Sequence, residues 1–113
     1  PIYRRCHRRT GGRGRGVLEI MAEGHLQKYF KRQATKHKVF WRKIAFEGQR
    51  GCPDILLLNN GRAMFVELKH PDGTGKLSEL QKYQIAEMRA AGAVVHVINS
   101  KDEVDEIIKE IKN

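Results

Sequence analysis

The alternation of apolar and polar positions is most informative between residues 53 and 69. Two apolar runs, residues 54–58 and 63–68, flank a polar segment of four residues that contains Asn60-Gly61. An Asn-Gly pair between hydrophobic runs is typical of the two-residue turn of a tight β-hairpin. We therefore predict a hairpin with Asn60 and Gly61 as its loop.

The rest of the chain alternates between helical and strand periodicity. Apolar spacing predicts helices from Ala22 to about Lys36, from an N-cap at Ser78 to Gly92, and from Lys101 to Lys112. β-Branched and aromatic runs predict further strands over Val39–Ala45 and Ala93–Asn99, the latter expected in the sheet interior. The predicted elements therefore follow the order α-β-β-β-α-β-α, which combines helices and strands in one domain.

The predicted hairpin register places two carboxylates opposite each other. If Asn59 pairs with Arg62, Asp54 lies opposite Glu67, about 5 Å away, where like charges destabilise a sheet. Lys69 follows Glu67 by two residues and shares its face. A divalent cation such as Mg²⁺ would relieve the repulsion, and the lysine could position or deprotonate a water or stabilise charge on a phosphate. The pattern therefore indicates metal-assisted phosphodiester hydrolysis.

The backbone carbonyl of Leu68 is a further candidate metal ligand, because it lies between Glu67 and Lys69. The simpler alternative is that Asp54 and Glu67 are solvated charges at strand ends, one of them paired with Lys69. Both faces of the hairpin are apolar, however, which predicts strands covered on both sides. Charges at the ends of such strands lie near a rim or cleft, and this favours the functional interpretation.

Charge and cysteine content narrow the class of protein. The formal net charge is +9, of which residues 1–20 supply +5 and the remainder +4. This balance favours a polyanionic partner, nucleic acid before acidic membrane. Two cysteines, Cys6 and Cys52, are too few for a disulfide framework and lack zinc-ligand spacing. No apolar stretch reaches the roughly 20 residues of a membrane span, and there is no convincing signal peptide, so we expect an intracellular protein without membrane contact.

The first 20 residues differ from the rest in composition. They are rich in Arg and Gly with few apolar residues, so we expect them to be disordered. They are either vector-derived or upstream sequence, which we favour, or a basic arm that contacts the phosphates of a nucleic acid. Residues 21–113 are expected to form one folded domain. Five basic residues that precede Asp54 are candidate contacts for a nucleic-acid backbone: Lys36, Lys38, Arg42, Lys43 and Arg50.

Pro53-Asp54 followed by Glu67-Leu68-Lys69 resembles the signature of the PD-(D/E)XK nuclease superfamily. The preceding Arg50-Gly51-Cys52 and the following predicted helix resemble the VRR-NUC family in particular, over about residues 21–100. The predicted order of elements matches the α/β core of that superfamily, so the resemblance implies a restriction-endonuclease-like fold with a mixed β-sheet flanked by helices. It also implies a DNA endonuclease that depends on Mg²⁺ or Mn²⁺.

The same resemblance implies two supporting residues and a kind of substrate. Glu23 matches an acidic residue of the first helix that reaches toward the metal, here through a water, and Gln81, rather than Gln84, matches a glutamine of the site. Stand-alone VRR-NUC proteins resemble Holliday junction resolvases. The resemblance therefore implies a homodimer that acts on branched DNA, of phage or mobile-element origin, in the cytoplasm of a bacterial host.

Two other functions stay open. One is a nicking or restriction-like nuclease that acts on ordinary duplex DNA, and the other is a non-catalytic DNA-binding module with the same fold. Retention of Asp54, Glu67 and Lys69 together argues against the module, since a degenerate site has no reason to keep three such groups on one face.

Overall fold

A computed structural model describes residues 17–70 and 75–113 of the chain, with side chains from residue 24 onward. The helices and strands follow the predicted order α-β-β-β-α-β-α, and their bounds are α1 Val17–Lys36, β1 Phe40–Lys43, β2 Ile55–Asn59, β3 Arg62–Leu68, α2 Glu79–Ala90, β4 Val95–Ile98 and α3 Lys101–Lys112. Helix α1 begins five residues before the predicted start, so the predicted domain boundary at residue 21 falls inside it. Residues 1–16 of the predicted arm lie outside the described residues, whereas residues 17–20 belong to α1.

The predicted hairpin and its register are confirmed. Strands β2 and β3 are antiparallel, with Asn59 opposite Arg62 at the turn and Ile55 opposite Val66 at the other end. Asn60 and Gly61 have φ angles of 51° and 79°. Positive φ at both loop residues is the requirement of the type I′ turn, which Asn-Gly meets at low cost.

The sheet has four strands in the order β1-β2-β3-β4. Strand β1 is antiparallel to β2, whereas β4 is parallel to β3 after the crossover through α2, so the sheet is mixed as predicted. The expectation that residues 93–99 lie in the interior of the sheet is wrong, because β4 pairs only with β3 and forms an edge in the described part of the chain. Val95 and Ile98 of β4 are nevertheless buried.

Helices α1 and α3 cover one face of the sheet and form the core with it. Ile55, Leu57, Met64 and Val66 are buried on this face. The predicted apolar positions of α3 are all buried, as are three of α1, and these residues are Leu26, Phe30, Ala34, Val104, Ile107, Ile108 and Ile111. The Tyr29 hydroxyl donates a hydrogen bond to Asp105 Oδ1 at 2.8 Å, which links the two helices.

Helix α2 lies on the opposite face and covers it only in part. Ile85 is the buried residue of α2, while Leu58 remains 38% exposed and Phe40 remains 43% exposed on the strands. The expectation that both hairpin faces are covered is therefore wrong for the end of this face that lies near the Asn-Gly turn. No helix in the described part of the chain combines the length and apolar character that crossing a bilayer requires.

Candidate active site

The predicted site residues meet at the end of the sheet that lies away from the hairpin turn. Asp54 immediately precedes β2, Glu67 is the penultimate residue of β3, and Lys69 follows β3. Extending the observed register by one pair places Asp54 across from Glu67. A small cavity of about 100 Å³ opens at this edge, and its lining consists of Leu26, Gln27, Lys43, Asp54, Leu68 and Lys69.

Gln81 joins Glu67 to Lys69. Its side-chain Nε2 donates to Glu67 Oε2 at 3.2 Å, and its Oε1 accepts from Lys69 Nζ at 3.3 Å. The neighbouring Gln84 bonds to Gln49 instead, at 3.3 Å. Gln81, and not Gln84, is thus the glutamine that contacts Glu67 and Lys69.

The N-terminus of α2 places Gln81 through a capping box. Ser78 Oγ accepts from the Gln81 backbone N–H at 3.1 Å, while Gln81 Oε1 accepts from the Ser78 backbone N–H at 2.9 Å. Such a reciprocal pair fixes the first helical turn and the side chain at its third position. The capping box therefore orients the side-chain amide of Gln81 in addition to its hydrogen bonds with Glu67 and Lys69.

The loop before Asp54 packs against the same helical turn. Gly51 has φ of +86°, and a Cβ atom at this position would lie 2.9 Å from Leu80 Cγ and 3.2 Å from the Leu80 backbone. Only glycine allows this conformation and this approach together. The loop and the start of α2 are thus in direct contact, one residue from Gln81.

The carboxyl group of Glu67 is electrostatically perturbed. Burial raises the pKa of Glu67 above its ordinary value of 4.5, and the negative charge of Asp54 raises it further, against opposing effects of Lys69 and Lys43. Two carboxylates that raise each other's energy in this way favour a bound cation.

Lys43, which the sequence analysis gave as a candidate contact for a nucleic-acid backbone, lies beside Asp54. Its Nζ lies 2.6 Å from Asp54 Oδ2, and both side chains are nearly half exposed. Lys43 is the last residue of β1 and pairs with Ile55, which places it beside Asp54. This pairing could not be predicted from the sequence, because 11 residues separate β1 from β2 and a connection of that length does not determine the register. The two-residue turn between β2 and β3 does determine it.

The carbonyl of Leu68 has no strand N–H opposite it. The N–H groups of Phe65 and Lys69 point to β4, at 2.9 Å from the Val94 carbonyl and 2.8 Å from the Ile98 carbonyl. Because alternate residues point to opposite sides, Leu68 points to the β2 side, where the register places Pro53. Proline has no N–H to donate, so the Leu68 carbonyl keeps its capacity to accept.

The donors at this edge fit a hard divalent cation. Two carboxylates and a backbone carbonyl are oxygen ligands, which Mg²⁺ and Mn²⁺ prefer. Within the described side chains there is no cluster of three or more His, Cys, Asp or Glu residues. The backbone of Glu23 belongs to α1, one turn before Leu26 and Gln27 at the cavity, but its side chain lies outside the described part.

The structure does not bring the five predicted DNA-binding residues into one cluster. Lys43 lies in the site, and Arg50 lies in the loop that leads to Pro53. Lys36 ends α1, and Lys38, with φ of 58°, precedes the end of β1 that pairs near the hairpin turn. Arg42 stacks on Phe40, its Cζ lying 4.2 Å from the ring centroid.

Comparison with known proteins decides the family. The model of the VRR-NUC domain matches residues 3–102, which is most of the chain. The chain belongs to the VRR-NUC domain family. This is a family of the nuclease type, and a nuclease domain implies DNA as the partner.

A solved structure supports the same assignment. The chain is similar to a structure described as a VRR_NUC domain, with 36% sequence identity, a TM-score of 0.70, and coverage of 78% of this chain and 95% of that one. The mixed sheet and flanking helices are consistent with the expected restriction-endonuclease-like core of the VRR-NUC domain. No curated protein matches the chain. The VRR-NUC match includes residues 3–20, which composition alone set apart from the domain.

Proposed function

We propose that this VRR-NUC domain is a metal-dependent DNA endonuclease that hydrolyses phosphodiester bonds. The observation that carries the proposal is the contact of Glu67 and Lys69 through Gln81, with Asp54 close enough to raise the pKa of Glu67. Two acids and an amine at one strand end provide a charged site for a phosphate and a cation together.

Each residue has a role that follows from its position. Asp54 and Glu67 would hold the ion, with the Leu68 carbonyl as a third oxygen and Glu23 acting through a water. A bound Mg²⁺ or Mn²⁺ supplies Lewis acidity toward water and toward phosphate oxygens. Lys69 would position or activate the attacking water and neutralise charge on the phosphate, and Gln81 would orient Lys69 and Glu67.

Lys43 must leave Asp54 before that carboxylate can bind an ion fully. Its ammonium lies 2.6 Å from Asp54 Oδ2 and is nearly half exposed, so it can move to solvent or to a phosphate. Exposed ion pairs of this kind contribute only about 0–1 kcal/mol. The pair would therefore weaken metal binding only slightly.

Branched DNA is the substrate that we favour. Two copies of the chain related by two-fold symmetry would present two sites at a fixed spacing, and such a spacing selects junctions without reading bases. We therefore propose a homodimer. The second candidate is a nicking or restriction-like nuclease on ordinary duplex DNA.

The test is cleavage of supercoiled plasmid, flap, splayed-arm and four-way-junction DNA in Mg²⁺, Mn²⁺ or EDTA, with wild type beside Lys69→Ala. We expect cleavage by wild type only with a divalent ion, fastest on the junction, and no cleavage by the variant. Cleavage in EDTA, or full activity of Lys69→Ala, would contradict the mechanism.

The same assay separates the remaining alternatives. Equal rates on plasmid and junction would favour the nicking or restriction-like nuclease, and binding without cleavage under every metal would favour the non-catalytic module. Light scattering of the intact chain checks the dimer, which requires a particle of twice the 13.0 kDa chain mass.

A further inference from the structure

Positive charge is concentrated on one helix of the domain. Between residues 24 and 36, α1 carries four basic residues and no acidic one, whereas residues 37–113 carry twelve basic and eleven acidic residues. Residues 24–113 carry a net charge of +5, and +4 of it lies in residues 24–36 of α1. The other two helices combine acidic and basic residues along their length.

The four basic residues of α1 form one exposed surface. Lys28, Arg32 and Lys36 follow each other at intervals of four, so they lie above one another on the helix, and Lys31 and Thr35 flank them. All five are exposed and line one shallow surface depression. From Lys28 to Lys36 the surface extends about 12 Å along the helix axis.

These cations lack acidic partners within the described part of the chain. In contrast, Lys82 pairs with Glu79 at 3.2 Å on α2, and Lys109 lies 3.8 Å from Glu106 on α3. On α1, Lys31 instead places its Nζ 5.8 Å from the centroid of the Trp41 ring. An unbalanced row of cations repels itself unless an external polyanion neutralises it.

A polyanion with regularly spaced phosphates fits this surface better than a membrane does. Within residues 24–36, where its side chains are described, the apolar side of α1, with Leu26, Phe30 and Ala34, is buried in the core, so this part of the helix has no free apolar face to insert between lipids. A length of about 12 Å corresponds to about three phosphates of one strand at 3.4 Å per nucleotide along the axis. The surface begins at Lys28, next to Gln27 at the catalytic cavity, and runs away from it.

We propose that the exposed basic face of α1, formed by Lys28, Lys31, Arg32 and Lys36, binds the phosphate backbone of duplex DNA that flanks the cleavage point. This inference rests on the proposed nuclease function for the identity of the polyanion. The contact is independent of sequence, because side chains that reach only phosphates carry no base information.

The test compares two triple variants that remove the same charge. Lys28→Gln, Arg32→Gln and Lys36→Gln together neutralise the α1 surface, and Lys101→Gln, Lys109→Gln and Lys112→Gln together neutralise three cations of α3. Affinity for a fluorescent 30-base-pair duplex is measured in EDTA over a range of salt concentrations. Thermal unfolding confirms that both triple variants are folded.

We expect the α1 variant to lose roughly 100-fold in affinity at 0.1 M salt, with the slope of log K against log salt smaller by about 2.7. The α3 variant should keep the wild-type slope. Equal changes in the two variants, or an unchanged slope in the α1 variant, would overturn the proposal. Lys69→Ala, tested for binding and for cleavage, distinguishes the two hypotheses, since it should lose cleavage while its salt slope falls by no more than about 0.9, the contribution of a single phosphate contact.

Discussion

At the scale of single residues, the amide of Gln81 has the chemistry to hold Glu67 and Lys69 at the same time. An amide offers a donor to the carboxylate through Nε2 and an acceptor to the ammonium through Oε1, and both contacts are present. A carboxylate at this position would repel Glu67, and an apolar group would contact neither charge favourably. The sequence predicted the position of Gln81 only through a family resemblance, because an exposed helical glutamine carries no signal of its own.

Replacing Gln81 should therefore impair cleavage more than it impairs stability. We expect Gln81→Ala to slow single-turnover cleavage by roughly 10-fold, the usual cost of losing a residue that orients a metal site. Gln84→Ala, on the same helix, should remain close to wild type. Ser78→Ala removes the helix cap but leaves the Gln81 amide, and it should lower the unfolding temperature without the same loss of rate. Equal rates for Gln81→Ala and Gln84→Ala would show that the amide has no role.

Lys43 forms an ion pair with Asp54, the carboxylate that we propose as a metal ligand. Removing the ammonium should tighten Mn²⁺ binding by up to about fivefold, because the exposed ion pair contributes no more than about 1 kcal/mol. Isothermal titration calorimetry of Lys43→Gln measures this. Lys82→Gln, which breaks an exposed pair on α2, is the matched control and should bind Mn²⁺ as wild type does. Weaker binding in Lys43→Gln would mean that Lys43 supports the ion instead of competing with it.

The raised pKa of Glu67 predicts how pH affects the metal-free protein. The folded state retains the Glu67 proton at pH values where the unfolded chain has lost it, so the contribution of this group is fully present below pH 4.5 and is lost as pH rises through the raised pKa. Urea unfolding in EDTA, from pH 4 to pH 7, should show wild type losing stability relative to Glu67→Gln. A difference between the two proteins that stays constant, or grows in favour of wild type, would contradict the shift.

At the scale of elements, the contact between the loop before Asp54 and the first turn of α2 positions both halves of the site. Gly51 makes this contact, and Gly48 in the same loop has a similar φ of +77° but nothing within 4 Å of a Cβ. Substitution of the two glycines therefore distinguishes the cost of a positive φ angle, which both share, from the cost of a steric clash, which only Gly51 would add.

Alanine substitutions at the two glycines should differ in their effect. Gly48→Ala should cost about 1–2 kcal/mol of folding free energy from positive φ alone. Gly51→Ala should cost about 1–3 kcal/mol more, because Leu80 must move. Cleavage should slow in Gly51→Ala only, since Leu80 adjoins Gln81. Urea unfolding and cleavage rates check both, and a Gly51→Ala protein with normal activity would show that this contact does not position Gln81.

The elements that the sequence predicted best are those whose own residues set their geometry. Asn60-Gly61 determined the hairpin register, and the spacing of Val104, Ile107, Ile108 and Ile111 determined α3 and its buried side. The edge position of β4 was not predicted, because an apolar run does not show whether a strand has one or two neighbouring strands in the sheet. The contact of Gly51 with Leu80 was not predicted either, since a glycine in the sequence permits a close approach but does not show which residue approaches it.

At the scale of the whole molecule, the site lies where three strands end and where helices from both faces of the sheet approach. α1 brings Gln27 from one face and α2 brings Gln81 from the other, while β1 adds Lys43 at the edge. Only the carboxylates and Lys69 belong to the hairpin, and only they could be placed by its register. The contribution of Lys43 depended on a pairing between strands separated by a loop, which periodicity alone does not determine.

We propose that Asp54 and Glu67 together bind one divalent cation, and Mn²⁺ titration followed by electron paramagnetic resonance measures this binding. Wild type should bind one ion per site, with affinity lost in the double variant Asp54→Asn, Glu67→Gln and kept in Lys69→Ala. Mn²⁺ binding that is equal in wild type and in the double variant, or absent from wild type, would show that Asp54 and Glu67 do not form a metal site.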